Sequence, residues 1–422
     1  MNEPSVEGPE QRETAALPRP PLFHGWKVVA TAFLVAMFGW GLGFYGSGVY
    51  LATLAHTRGW STGTVGAAVT GYYLLGAVML TTVPRTIDRF GERRVLLAGS
   101  VAMGASALAL TRAAEPWQLW PAFLAMSLGW ATMSGVMVNA LVAPWFDRRL
   151  GMAISMALNG ASCGGVIVAP LMILAIDRLG FTSGVGLVVL AMVVTLWPAA
   201  ILYLGTSPDR LGLMPDGGAT ATPDDRRAAT PRPSALDLLR SPPLWTVLLP
   251  SALGLFAQVG VLTHQVAFLS PRLTPETLSL AVGLTTGAAI VGRVGTGLVV
   301  DRIDPRVAMA ATLAVQTAAL AVLATLPAAL ATLVACAAFG LGVGNLITLP
   351  SLILRREVRA GAFTAAVGVV MAGSQVTYAF APLSVGHLRD VAGSYSMAWW
   401  SCAALDAVAA VIVLSSRSPR NK

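Results

Sequence analysis

The sequence predicts an all-α membrane protein, with twelve spanning helices arranged as two pseudo-symmetric six-helix bundles, and three observations point to it. The chain of 422 residues is 55% hydrophobic and only 11% charged, with a mean hydropathy of +0.69. So few charges cannot cover a soluble globule. About twelve apolar stretches, each near the ~20 residues that cross ~30 Å of hydrocarbon, are separated by short polar turns. Finally, an Asp-Arg pair followed by more arginine closes an apolar stretch once in each half. Asp88-Arg89 and Asp301-Arg302 lie 213 residues apart, as expected of two halves built on one plan.

In chain order, residues 1–24 form a disordered tail. Residues 25–205 form the first bundle, with spans over 27–54, 62–83, 95–111, 117–143, 151–176 and 184–205. Residues 206–243, carrying Pro208, Pro215, Gly217, Gly218, Pro223, Pro231 and Pro233 among mixed charges, make a linker; 235–240 is a short helix at most. The second bundle, 244–415, has spans over 244–269, 277–300, 307–326, 329–353, 362–385 and 395–414, and 416–422 is a second tail. No extramembrane stretch is long enough to bury its own core. An enzyme is therefore not expected.

Orientation follows from the basic residues, since short loops rich in Lys and Arg stay cytoplasmic. With both termini inside a plasma membrane, the inner membrane of a bacterial cell, all 28 are cytoplasmic except Arg58, Arg112, Arg178, Arg272 and Arg389 outside and Arg293 within a span. The net charge of +8 is thus spread over loops and tails, not gathered on one exposed face as nucleic-acid binding requires. The first residues hold Glu3, Glu7, Glu10 and Glu13 and no apolar core, unlike a cleaved signal. Cys163, Cys336 and Cys402 lack paired spacing, so neither disulfides nor a metal site is expected, and no cofactor motif occurs. Glycines cluster in spans 1, 5, 8 and 10, where small residues let helices approach closely and move against one another.

The repeated loop resembles that of the major facilitator superfamily, which runs Gly, three residues, Asp-Arg, a Gly and then basic residues. The second half supplies Gly297, Asp301, Arg302 and Arg306; the first supplies Asp88, Arg89, Gly91, Arg93 and Arg94, with Pro84 where Gly is usual. The resemblance covers 25–414 and implies a secondary transporter working by alternating access. Asp88, at the inner end of span 2, is suited to accept hydrogen bonds from the start of a helix in the opposite half. Asp88, Arg89, Gly91, Arg93, Asp301 and Arg302 are therefore expected to latch the inner side and set the balance between states. Ordinary positive-inside loop charges are the plainer reading of the same residues.

A narrower resemblance lies in three segments. They are Gly25-Trp26-Lys27 entering span 1, the stretch from Trp145 to Gly164 leading into span 5, and Gly292-Arg293-Val294-Gly295-Thr296-Gly297 in span 8. Together they are similar to the monocarboxylate transporter and oxalate/formate antiporter branch. Arg293 lies about 24 Å from the outer end of its span and about 10 Å from the inner end. A guanidinium there costs about 2.5 to 3.5 kcal/mol on insertion scales, so it should face protein, water or an anion. Ala289, Ile290, Thr296 and Gly297 share its face and leave room for a carboxylate held by two parallel hydrogen bonds. A structural ion pair or a link to backbone carbonyls is the other reading.

Two departures narrow the expected cargo. Where the resemblance implies a proton-handling Asp one turn before the arginine, this chain has Ala289, and span 1 lacks the branch's lysine around Phe44 to Ser47. Span 11 lacks the second cation of the oxalate/formate antiporters, which favours a monoanion. Asp406, about 17 Å into span 12, is a possible proton site or a locally bonded carboxyl. Tyr45, Asn159, His264, Gln375 and Tyr378 join Arg293 as candidate substrate-binding residues, with Tyr50, Tyr72, Asn139 and Asn345 as further polar groups; interfacial packing is an equal reading of His264, and helix-packing glue is the plainer reading of the others. The implied partners are a small organic anion, a proton or counter-anion as coupling species, and the lipid bilayer, with a monomeric carrier. The alternative is a proton-coupled exporter of drug-like or natural-product molecules. Span 4 carries no charge, and span 5 reads Gly164-Gly165 with its proline displaced to Pro170, which lowers that alternative.

Overall fold

A computed structural model describes residues 23–211, 213–215, 238–299, 302–325, 328–358 and 360–415. Twelve helices long and apolar enough to cross a membrane occur among them. They are α1 (His24–Arg58), α2 (Thr62–Leu80), α3 (Glu92–Arg112), α4 (Pro116–Trp145), α5 (Leu150–Leu179) and α6 (Phe181–Tyr203), then α7 (Pro242–Leu269), α8 (Pro275–Val299), α9 (Pro305–Ala324), α10 (Ala329–Glu357), α11 (Ala366–Ala392) and α12 (Ser396–Ser415). Residues 1–22 and 416–422, most of the linker and Asp301 fall outside the described residues; of the expected tail, His24 already opens a helix, and of the expected short helix 235–240 only 238–240 are described, with Leu238 and Leu239 helical. We call the membrane side holding His24 and Ser415 the near side and the opposite one the far side.

Span ends agree with the hydropathy reading to within a few residues because each is fixed by local chemistry. The Ser61 hydroxyl caps α2 by accepting from Thr64 N–H at 3.1 Å, and the Asp304 carboxylate caps α9 by accepting from Arg306 N–H at 2.9 Å. Pro116, Pro242 and Pro305 open their helices where a missing N–H costs nothing. The most apolar window of α7 is 78% buried and that of α6 only 28%, so α7 is central while α6 turns its apolar surface to lipid.

Each bundle has its own near-side fastening. In the first, Phe23, Trp26, Trp145 and Phe146 pack edge to face, and the Glu92 carboxylate accepts from Gly205 N–H at 3.1 Å. In the second, the Arg306 guanidinium donates two bonds of 2.7 Å to Glu357 and a third of 2.8 Å to the Thr246 hydroxyl, joining the near ends of α9, α10 and α7. Arg306 is only 3% exposed, so that pairing offsets the cost of burying its charge.

The helices are less regular than twelve straight rods. The α-helix widens to a π-helix over Gly39–Tyr45 in α1 and over Gly164–Val168 in α5, and these segments pack on each other. The chain breaks at Met133–Ser134 in α4, Val343–Gly344 in α10 and Phe380 in α11. Such interruptions in a bilayer are tolerated where protein or a cavity, not lipid, surrounds them.

The bundles meet along their far halves. Hydrogen bonds joining the two bundles at the level of Arg293 or farther out include Arg293 to Ser162, Ser279 to the Pro170 carbonyl, and Thr62 and Gly63 to α11. Gly48 of α1 also sits so close to α7 that a methyl there would fall 2.8 Å from the Thr263 carbonyl oxygen. The far side is closed.

Candidate functional site

Arg293 lies where the two bundles touch at mid-membrane. Two glycine contacts put it there. A side chain on Gly340 would run into the Thr285 carbonyl, and one on Gly292 into the Leu341 carbonyl, so α8 and α10 press backbone to backbone just before Arg293. The guanidinium then lies over Gly344, which caps the start of the second segment of α10 (Asn345–Glu357) with φ +93°, a conformation that favours glycine. A methyl there would overlap Nη2 and fall 2.8 Å from Nε. Gly344 is a cradle for the cation.

Across the interface, Arg293 Nη1 donates to the Ser162 hydroxyl of α5 at 3.5 Å, a long bond, and the guanidinium acts electrostatically on the Tyr45 phenol of α1. No carboxylate pairs with Arg293 among the described residues, unlike Arg306, which pairs with Glu357, and Arg389, which pairs with Asp390. Its Nε has no hydrogen-bond partner. Of the residues expected on its face, Ala289 is buried, and Thr296 accepts a bond of 2.9 Å from the Asn345 amide of α10. A donor-rich, unpaired cation thus sits between α1, α5, α8 and α10.

The other expected binding residues divide. Tyr45 lies beside this cation, in the π-helical stretch of α1; a methyl on Gly165 would fall 2.8 Å from its ring. Asn159 is exposed one turn nearside of Ser162 on the same face of α5. Tyr378 of α11 meets Tyr73 of α2 edge to face at 6.0 Å, on the far side of Arg293, and half-buried Gln375 lies one turn away. The Tyr73 ring also packs on Phe44, and its hydroxyl lies 3.4 Å from that of Ser47. An aromatic ceiling therefore closes the site toward the far side.

His264 lies elsewhere. It is fully buried, its Nε2–H donates to the Pro382 carbonyl at 2.9 Å, and its Nδ1 accepts from the Tyr395 hydroxyl at 3.0 Å when the ring is neutral. Both nitrogens are committed to holding α7, α11 and the start of α12 together. Asp406 is likewise fully buried, on the stripe of α12 with Trp399, Cys402, Ala403 and Ala409 that packs inside the second bundle against α7 and α9, away from Arg293. Tyr50 and Tyr72 are buried, and Asn139 is exposed with its amide on the Gly135 carbonyl.

Among the expected latch residues, Asp88, Arg89, Arg93 and Arg302 are exposed. Arg93 reaches the Ile201 carbonyl of its own bundle at 3.5 Å, and Gly91 links the short helix Val83–Phe90 to α3. None of these makes a bond to the opposite bundle among the described residues. Sequence reasoning did not single out Ser162 or Asp390, and it read Gly344 only as one of the clustered glycines of span 10. A Gly-Asn pair interrupting an apolar span was the one available signal for Gly344.

A far-side hollow of about 380 Å³, lined by Val49, His56, Ile173, Asp177, Val266 and Leu278, opens outside the closed seam. It is a vestibule, separated from Arg293 by the packed far halves.

Comparison with known proteins agrees with this architecture. Residues 29–382 match the Major Facilitator Superfamily model. The chain belongs to that superfamily and is an integral membrane protein of MFS-transporter type. It is 25% identical over 337 residues to MFS-type transporter 1 of an Ophiocordyceps species, covering 78% of this chain and 71% of that one. It is 25% identical over 228 residues to an MFS-type transporter of Aspergillus fumigatus, covering 51% of each. The chain spans about half the length of this relative. The solved structure of the nucleoside transporter NupG superposes with a TM-score of 0.73 at 11% identity, covering 93% of this chain and 98% of that one, a likeness of fold.

Proposed function

We propose that this protein carries a small organic anion, a monocarboxylate, across the plasma membrane by alternating access, with its near side cytoplasmic. The observation that supports the reading is Arg293, a guanidinium without a carboxylate partner among the described residues, held at mid-membrane against Gly344 and shared between the bundles. A buried arginine is tolerated when its charge is met. A carboxylate entering from the near side meets it with two parallel bonds, beside the Ser162 hydroxyl and the Tyr45 phenol. Because those groups belong to different bundles, a bound anion is held by both, and the bundles can then rock around it. Asn159 is placed to receive solute one turn earlier, and Tyr378 and Gln375 stand at the ceiling. The conformational latch on the near side, with Asp88, Arg89, Gly91, Arg93, Asp301 and Arg302, would close once the far side opens.

The test is a calorimetric screen of short organic acids against purified protein and Arg293→Ala. We expect saturable binding by the native protein and none by the variant; equal binding by both refutes the reading. Arg293→Lys should also bind poorly, because an ammonium cannot reproduce the planar fork. The second reading, export of a drug-like molecule, draws support from the ring cluster Phe44, Tyr45, Tyr73 and Tyr378. Hydrophobic cations included in the screen distinguish the two.

A further inference from the structure

The far closure contains a device that neither the sequence motifs nor the Arg293 site accounts for. Helix α2 begins with Ser61 as its own cap, which satisfies Thr64 N–H and leaves the earlier amides of the first turn to find partners elsewhere. Gly63 N–H finds one in the other bundle: it donates to Oδ2 of Asp390, at the far end of α11, at 2.7 Å. The Thr62 hydroxyl donates to Oδ1 of the same carboxylate at 2.9 Å. One acidic side chain of the second bundle thus closes on the positive end of a helix in the first, where a negative charge is most favoured.

The surrounding seam is shaped for this contact. A methyl on Gly63 would fall 2.7 Å from Asp390 Oδ2, one on Gly66 would run into the Pro382 carbonyl, and one on Gly386 would fall 2.7 Å from the Thr62 carbonyl oxygen. The helices touch through small residues, so the carboxylate reaches the backbone directly. The segment Ala381–Ala392, separated from the rest of α11 at Phe380, is fastened to its own bundle by His264 on the Pro382 carbonyl. When the bundles part, it travels with the second one, and the Asp390 bonds are what it must give up.

The pseudo-symmetric seam lacks the device. Positions 213 residues away put Asp177 of α5 opposite α8 in the place of Asp390, and Ser279 in the place of Gly66; Ser279 donates to the Pro170 carbonyl at 3.4 Å. The counterpart of Gly63, however, is Glu276, and both Asp177 and Glu276 are exposed. Two acids cannot cap one another. We infer that Asp390 is the lock of the far gate, a carboxylate of one bundle that caps the first turn of α2 in the other and must release Gly63 and Thr62 before the far side opens. The inference does not depend on which solute Arg293 binds.

The experiment places spin labels at Arg58→Cys in the first bundle and Leu330→Cys in the second, both exposed and away from the lock, with the three native cysteines replaced by alanine. Pulsed electron resonance then reads the population of far-open molecules in lipid nanodiscs. Asp390→Ala removes charge-assisted bonds and is expected to raise the far-open to far-closed ratio about tenfold. Gly63→Ala, made in the opposite bundle, should do the same because its methyl displaces the carboxylate, and it tests the lock even where Asp390→Ala is not recovered. Arg389→Ala should keep the native distribution, although Arg389 lies 3.4 Å from Asp390. An unchanged distribution in Gly63→Ala or Asp390→Ala overturns the inference. So does an Arg389→Ala distribution that copies Asp390→Ala, which would assign the carboxylate to pairing within its own bundle.

Discussion

Replacing Gly344 with alanine tests the cradle without touching the charge it holds. Two costs follow from the geometry. At φ +93° an L side chain is strained by about 1–2 kcal/mol, a penalty on the fold that appears as a lower melting temperature. Separately, the new methyl would overlap Arg293 Nη2 and stand 2.8 Å from Nε and 2.9 Å from Cζ, short of the 3.4–4 Å of ordinary contact, so the guanidinium must move by roughly 1 Å. That displacement breaks the two-point fit to a carboxylate. Losing one charge-assisted bond costs about 1.5–3 kcal/mol, or roughly a 10- to 150-fold weaker Kd. Titration calorimetry with the best acid from the screen measures it, with Gly287→Ala as a control: Gly287 lies on α8, the helix of Arg293, with open space beside it, so its variant should match the native protein. A native Kd for Gly344→Ala, with the fold intact, would refute the claim that this glycine positions the cation.

Three further outcomes are expected. Ser162→Ala should weaken anion binding less than about threefold, because a single neutral hydroxyl adds little beside the two charge-assisted bonds of Arg293 and its own bond to Arg293 is 3.5 Å long; a loss as large as that of Arg293→Ala would make Ser162, not the arginine alone, the anchor of the anion. Glu357→Ala leaves the buried Arg306 with Thr246 and the Val413 carbonyl but no counter-charge, and should cost about 3 kcal/mol of stability in the second bundle. Glu357 is 30% exposed, which favours the low end of the range for breaking buried pairs, and thermal unfolding in detergent reads it. His264→Phe should lower the melting temperature while anion affinity stays native, because both ring nitrogens serve the packing of α7, α11 and α12; a lost affinity with a native melting curve would return His264 to the binding site.

The parts of this architecture that depend on solvent preference were legible in the sequence. Span positions follow from hydropathy and caps, and the depth of Arg293 follows from counting along a helix. Helix interruptions were not legible, since Gly39–Tyr45 and Gly164–Val168 read as glycine-rich helix and the choice of π over α geometry is made by the opposing segment. Nor does composition say which face a polar residue takes. His264 and Tyr45 both looked like cavity groups, yet the first is tied to Tyr395 and Pro382 while the second lies beside the cation. Asp390 escaped notice because its partner is a backbone amide 327 residues away, and a helix start carries no sequence mark of who will cap it from another bundle. The expected near-side latch was readable as a motif; Asp301 lies outside the described residues, and among the described ones Asp88, Arg89, Arg93 and Arg302 are exposed.

The most direct test of the central claim, that Arg293 anchors an anionic solute, is a crystal structure with a short bromo-carboxylic acid such as 3-bromopropionate, located by bromine anomalous scattering. The account predicts one strong peak between the bundles, with the acid's carboxylate within hydrogen-bond distance of the Arg293 guanidinium. A bromine site remote from Arg293, with the guanidinium turned onto protein carbonyls, would contradict it.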